Sequence, residues 1–151
     1  MKATAVIQVR MGSTRFPGKI MMKLDDKFTV LDYVIRQLGH SKLVENIIIA
    51  TTNLEQDDII VQYAKDNDLA YFRGEVLDVL DRYYQCAKKF SLDVIVRMTS
   101  DAPFLDPTVV DEAISKFQET GCDFVSNNII RTYPIGIDTE VFSMKVLKKT
   151  W

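Results

Sequence analysis

ATAVIQVRMGSTRFPGK, residues 3–19, is the stretch on which the fold turns. Its first seven residues are a nearly unbroken apolar run, the pattern of a strand buried on both faces. The run opens onto a loop with two glycines, Gly12 and Gly18, two hydroxyls, Ser13 and Thr14, and three cations, Arg10, Arg15 and Lys19. A buried strand that ends in such a loop is how an open α/β sheet begins, and ligands of these sheets gather at the carboxyl ends of the strands. The loop is not a P-loop. Five residues rather than four separate the glycines, and Ile20 stands where the metal-holding hydroxyl would follow the lysine. The dinucleotide fingerprint G-x-G-x-x-G is missing too. Two readings stay open: a cradle for a polyphosphate, to which arginine forks and a lysine point charge are suited, or a solvated basic turn cornered at Pro17-Gly18.

Outward from this stretch, short β-branched runs alternate with helical periodicities. NIIIATT (46–52), AYF (70–72), DVIVRM (93–98) and DFVSN (123–127) read as strands. Between them, apolar stripes predict helices over 29–39 (Val30, Leu31, Val34, Ile35, Leu38), 55–66 (Ile59, Ile60, Tyr63, Ala64), 76–90 (Val79, Leu80, Tyr83, Ala87, Phe90) and 107–120 (Val109, Val110, Ala113, Ile114, Phe117). Thr29 with Asp32, and Asp106 before Pro107, supply start signals. A βαβα order implies an α/β fold with a mostly parallel sheet and right-handed crossovers. The 151 residues suit one domain over 1–151. DTEVFS (138–143) reads as a further strand, and MKVLKKTW begins a helix of about two turns, too short to be stable alone. Val146, Leu147 and Trp151 there lack an evident partner, so the chain is expected to end early.

Composition narrows the function. With 47% hydrophobic residues, 26% charged and a net charge of −2, the chain lacks the basic excess of a nucleic-acid binder. No run approaches the ~20 apolar residues of a membrane span, and the N-terminal run is too short for a signal peptide. Cys86 and Cys122 are far apart and His40 is the one histidine, which argues against a thiolate–imidazole zinc site and for a reduced, cytoplasmic protein.

Several polar residues fall at strand ends: Thr51, Thr52 and Asn53; Arg73 and Gly74; Thr99, Ser100 and Asp101; Asn127 and Asn128. Each has an ordinary reading as a turn former. Asp101 stands out, because a carboxylate facing a cationic loop is a candidate magnesium ligand, and Mg²⁺ typically takes one or two carboxylates together with substrate phosphates.

Four segments together, IQVRMGSTRFPGK, FRGEVLDVLDRYYQCAKKF, RMTSDAPFLDP and TYPIGIDTEVFS, resemble the cytidylyltransferase-like proteins of spore coat polysaccharide biosynthesis, which are related to the enzymes making CMP-linked Kdo and acylneuraminate. The resemblance runs over essentially the whole chain. It implies a Rossmann-like nucleotidyltransferase fold and transfer of CMP from CTP to a sugar acid, with Mg²⁺ as cofactor and pyrophosphate released. It makes Arg10, Arg15, Lys19 and Asp101 the catalytic candidates, with Asp101 on the metal. Gln8, Arg10, Gly12, Ser13, Thr14, Arg15, Lys19, Thr52, Arg73 and Ser100 become nucleotide-binding candidates. Asp81 and Arg82 lie near the implied base pocket, or form a helix-surface ion-pair element. Asn127, Asp138 and Glu140 are candidates for the sugar, although the last two also fit a strand edge. Ser100 stands where the family usually has glycine. The family extends past residue 151, and its further part usually completes the acceptor site and the contacts of a homodimer. Two other readings remain: a non-catalytic nucleotide-binding or interaction fragment, and a nucleotidyltransferase of another base or acceptor.

Overall fold

The computed structural model describes residues 3–13 and 15–151. The apolar runs become six strands: β1 (Ala3–Gln8), β2 (Val44–Thr52), β3 (Ala70–Gly74), β4 (Val94–Thr99), β5 (Phe124–Ser126) and β6 (Glu140–Ser143). The helices are α1 (Val30–Leu38), α2 (Asp58–Asp66), α3 (Val79–Lys89), α4 (Pro107–Thr120) and α5 (Met144–Thr150). The strands form one sheet in the order β3-β2-β1-β4-β6-β5. β1 pairs in parallel with β2 on one side and β4 on the other. β6 runs antiparallel to both β4 and β5. The chain thus winds outward from β1 through β2 to β3, then crosses back to lay β4 on the other side of β1. This reversal parts the connections at the carboxyl ends of β1 and β4 and creates the crevice where such sheets bind ligands.

Both faces are covered, which is why the strands read as continuous apolar runs. On one face Ala5, Ile7, Ile49 and Val96 pack beneath α1, α2 and α4; on the other Val6, Ile48, Ile95 and Phe142 pack beneath α3 and α5. The helix starts follow their signals. Thr29 and Asp32 form a reciprocal capping box on α1, and Asp106 caps α4 with Pro107 in the first turn.

The structure departs from the periodicity in three places. A 3-10 turn, Glu55–Asp57, precedes α2, and α3 begins only at Val79, where Asp78 accepts from Asp81 N. Ile59 and Leu80 are solvent-exposed; Val61, Tyr84 and Cys86 are buried instead, because each helix is rotated relative to the expected stripe. The terminal helix has a partner within the chain: Leu147 is buried, and the Trp151 ring stacks on Tyr84 with centroids 4.1 Å apart. Trp151 Nε1 also donates to Asp81 Oδ1 at 2.9 Å. Among the described residues no helix is long and apolar enough to cross a membrane.

Candidate functional site

The loop after β1 is folded by its own backbone and by one buried acid. Met11 O accepts from both Ser13 N and Gly18 N at 2.9 Å, closing the loop into a ring. Gly18 makes the exit turn at φ 72°, a left-handed conformation that costs a side-chain-bearing residue. A 3-10 turn, Lys19–Met21, then buries Ile20 and leaves Lys19 on the rim. Met11 N donates to Asp57 Oδ1 at 2.7 Å, and the same carboxylate accepts the Thr52 hydroxyl. Asp57 is fully buried, so it is a strut that ties the loop to the end of β2.

A cleft of about 280 Å³ opens between this loop and the end of β4. Gln8, Arg10, Ser13, Arg15 and Lys19 line one wall; Arg97, Thr99, Ser100 and Asp101 line the other. Lys19 Nζ and Asp101 Oδ2 meet across it at 2.6 Å, with side chains 29% and 46% exposed. The hydrogen bond from Lys19 holds the Asp101 carboxyl below its ordinary range; burial opposes this, and the Lys19 charge and a bond from Thr99 add to it. A second cavity, walled by Pro103, Phe104, Pro134 and Ile135, also reaches Asp101. The acid therefore stands between a cationic cleft and a more apolar recess.

Sequence reasoning missed Arg97. It lies in the middle of β4, and its Nη1 donates to Glu140 Oε2 at 2.6 Å. Asn128 Nδ2 reaches the other oxygen of Glu140 at 3.3 Å. Burial works against the Arg97 charge, but the adjoining carboxylate outweighs it and raises the pKa. A cation within DVIVRM, an otherwise apolar run, was the available signal.

Other candidates lie outside the cleft lining. Thr52 is buried against Asp57. Arg73 spends its guanidinium on Thr52 O, Asp58 and Leu54 O, which braces the turn after β2. β2 and β3 lie on the far side of β1 from β4, so their ends are one or two strand spacings, ~5 Å each, from the crevice. Gly12 faces Gln56: a Cβ there would sit 3.0 Å from Gln56 Nε2. Asn127 clasps its own loop through Ile137 O and Thr139 N. Asp138 pairs with Arg131 at 2.8 Å, and Glu140 enters only through Arg97. Thr14 lies outside the described residues. Asp81 holds Trp151 and Gln85 rather than Arg82. Arg82 is buried with Nη1 on Glu75 O, while its Nε and Nη2 have no hydrogen-bond partner among the described residues.

Among the described residues no group of three or more His, Cys, Asp or Glu side chains could hold a metal. The donor set still fits Mg²⁺ bound chiefly through substrate phosphates, which needs as little as one protein carboxylate. Asp101 is the carboxylate on the cleft wall, and a cation, the Lys19 ammonium, already lies on it.

Comparison with known proteins adds a family and three relatives. A family model described as "Cytidylyltransferase" matches residues 4–151. The spore coat polysaccharide biosynthesis protein SpsF of Bacillus subtilis is 34% identical over 146 residues, covering 94% of this chain and 59% of the relative. A 3-deoxy-manno-octulosonate cytidylyltransferase of Trichlorobacter lovleyi is 32% identical over 117 residues, covering 78% of this chain and 45% of the relative. The solved structure of a cytidylyltransferase from Leptospira borgpetersenii superposes with a TM-score of 0.92 at 38% identity, covering 99% of this chain and 63% of that one. The chain thus spans three fifths or less of the curated relatives' length.

Proposed function

Because the chain belongs to the cytidylyltransferase family, whose model it matches from residue 4 to its end, we propose that the cleft binds CTP and serves transfer of CMP to a sugar acid, with release of pyrophosphate. The observation that carries this reading is the Lys19–Asp101 contact across a cleft lined by four cations, Arg10, Arg15, Lys19 and Arg97, against the single carboxylate of Asp101. Such a wall suits a polyphosphate, whose oxygens pair with guanidinium forks and the lysine ammonium.

In this reading Arg10, Arg15 and Lys19 hold the phosphate chain, with Ser13 adding a hydroxyl. Gln8, Thr99 and Ser100 provide neutral polar contacts for the nucleoside. Asp101 is the residue that would hold Mg²⁺, which when bound offsets charge on the phosphates. The acceptor approaches from the recess that shares Asp101. Its hydroxyl oxygen forms a bond to the α-phosphorus, the bond from that phosphorus to the bridging oxygen breaks to free pyrophosphate, and the hydroxyl proton passes to solvent water. Arg15 and Lys19 stabilise charge on the departing pyrophosphate. Rate enhancement of this kind comes from positioning and preorganised charge, and no nucleophilic side chain is needed.

The likeness to SpsF favours an acceptor destined for a surface or spore coat polysaccharide. Free thiols at Cys86 and Cys122 fit a reducing, cytoplasmic setting. One observation favours a second reading, binding without turnover: Asn127 and Asp138 are committed to their own loop, so few side chains face the acceptor. The test is a melting curve with millimolar CTP and Mg²⁺, followed by pyrophosphate release with Kdo and other 2-keto sugar acids. At about 100 times Kd the ligand adds ~2.7 kcal/mol of stability. Arg15→Ala and Asp101→Ala should each erase the shift. No shift with the unaltered chain overturns the reading, and a shift without pyrophosphate selects the binding module.

A further inference from the structure

Lys19 and Asp101 are 82 positions apart in sequence, yet they join the loop after β1 to the end of β4 at 2.6 Å. We propose that Lys19 occupies the cation seat on Asp101 and leaves it only for a polyphosphate, so that divalent metal and nucleotide enter the cleft as one unit and neither metal-first binding nor a resident metal occurs. This rests on reading the cleft as a nucleotide site assisted by a metal.

Three observations support it. The ammonium lies on Asp101 Oδ2 at 2.6 Å, so one oxygen of the carboxylate already has a cation on it. Mg²⁺ needs carboxylate oxygen at about 2.0–2.1 Å; a dication so placed beside the ammonium would meet an adjacent like charge. Among the described residues no group of three or more acids, histidines or thiols offers a second site for the metal.

The pair is nonetheless easy to exchange. Both side chains are part-exposed, and ion pairs of that kind contribute little net stability. Lys19 carries a flexible four-carbon stem from a rim where Arg15 and Ser13 line the same cleft. A phosphate chain offers the ammonium a new anionic partner at the moment it brings its own cation to Asp101. Lys19 is thus a positioning residue for the metal as well as a contact for the substrate.

The test is Mn²⁺ binding without nucleotide, followed by the electron paramagnetic resonance of free Mn²⁺. The unaltered chain and Lys19→Arg, which keeps the charge, should bind Mn²⁺ weakly. Lys19→Gln should bind it on the order of tenfold more tightly, the scale expected for removing one charge beside a dication in a part-solvated site. Lys19→Gln with Asp101→Asn should lose the gain. Equal Mn²⁺ affinity in the unaltered chain and Lys19→Gln, whether both bind or neither does, overturns the proposal. The CTP melting shift of the unaltered chain is measured separately, so a failed nucleotide reading and a failed exchange are told apart.

Discussion

Replacing Asp57 by alanine tests the strut beneath the loop after β1. Its carboxylate is fully buried and accepts from Met11 N at 2.7 Å and from the Thr52 hydroxyl. Hydrogen bonds to a charged group contribute ~1.5–3 kcal/mol each, and their loss leaves two buried donors unmatched. Two such bonds give a loss of about 4 kcal/mol, a large share of the ~5–15 kcal/mol that holds a domain together. At ~2–4 °C per kcal/mol for a chain of this size, the melting temperature should fall by about 8–16 °C. Thermal unfolding followed by circular dichroism reads this directly. Thr52→Val completes a double-mutant cycle, in which contacting partners show a coupling of ~0.5–3 kcal/mol. Asp57→Ala melting within about 2 °C of the unaltered chain, or a cycle that sums without coupling, refutes the strut.

Arg97→Met strips one cation from the cleft and leaves Glu140, 19% exposed, without its counter-charge; stability should drop by about 1–3 kcal/mol in urea melts, and CTP should bind more weakly by calorimetry. The Cys86 thiol, fully buried, is pushed up to about 12 by burial, so one of the two thiols should react with DTNB in the native chain and both after denaturation. Trp151 is the single tryptophan and is latched to Tyr84 and Asp81; Asp81→Ala should shift its emission to the red and cost about 1 kcal/mol. Lys19 holds the Asp101 carboxyl below its ordinary 3.8. The contribution of a carboxyl lowered in this way is present above the unfolded value and lost as pH falls through the folded one. Carboxyl ¹³C shifts should therefore place Asp101 below 3.8 and return it upward in Lys19→Gln.

The sheet was legible because burial on both faces imposes apolar runs that few other structures share, and β1 with its loop already contained the site's geometry. Lys19 and Asp101 could be paired from sequence for a related reason: both follow strands on either side of a reversal in strand order. Thr52 and Arg73 lie outside the cleft lining because a strand end says only which rim a residue occupies, and the crevice takes up only part of that rim. Asp57 stayed hidden since an acid at a helix start is commonly a cap, and its real partners, Met11 and Thr52, come from other elements. Arg97 was concealed inside a hydrophobic run whose period offered no face to question. Ile59 and Leu80 show the limit of helical stripes, in which rotation by one residue changes which side chain meets the sheet.

The reversed strand β6 has a consequence for how this architecture diversifies. Residues 127–139 hang between β5 and β6 at the same rim as the cleft, yet none of them lines its walls. Insertions or exchanges in that segment can recast what approaches Asp101 from the recess while leaving the cationic wall intact. In the proposed function, selectivity for one partner molecule and the capacity to handle a phosphate chain thereby fall to separately replaceable parts of the chain.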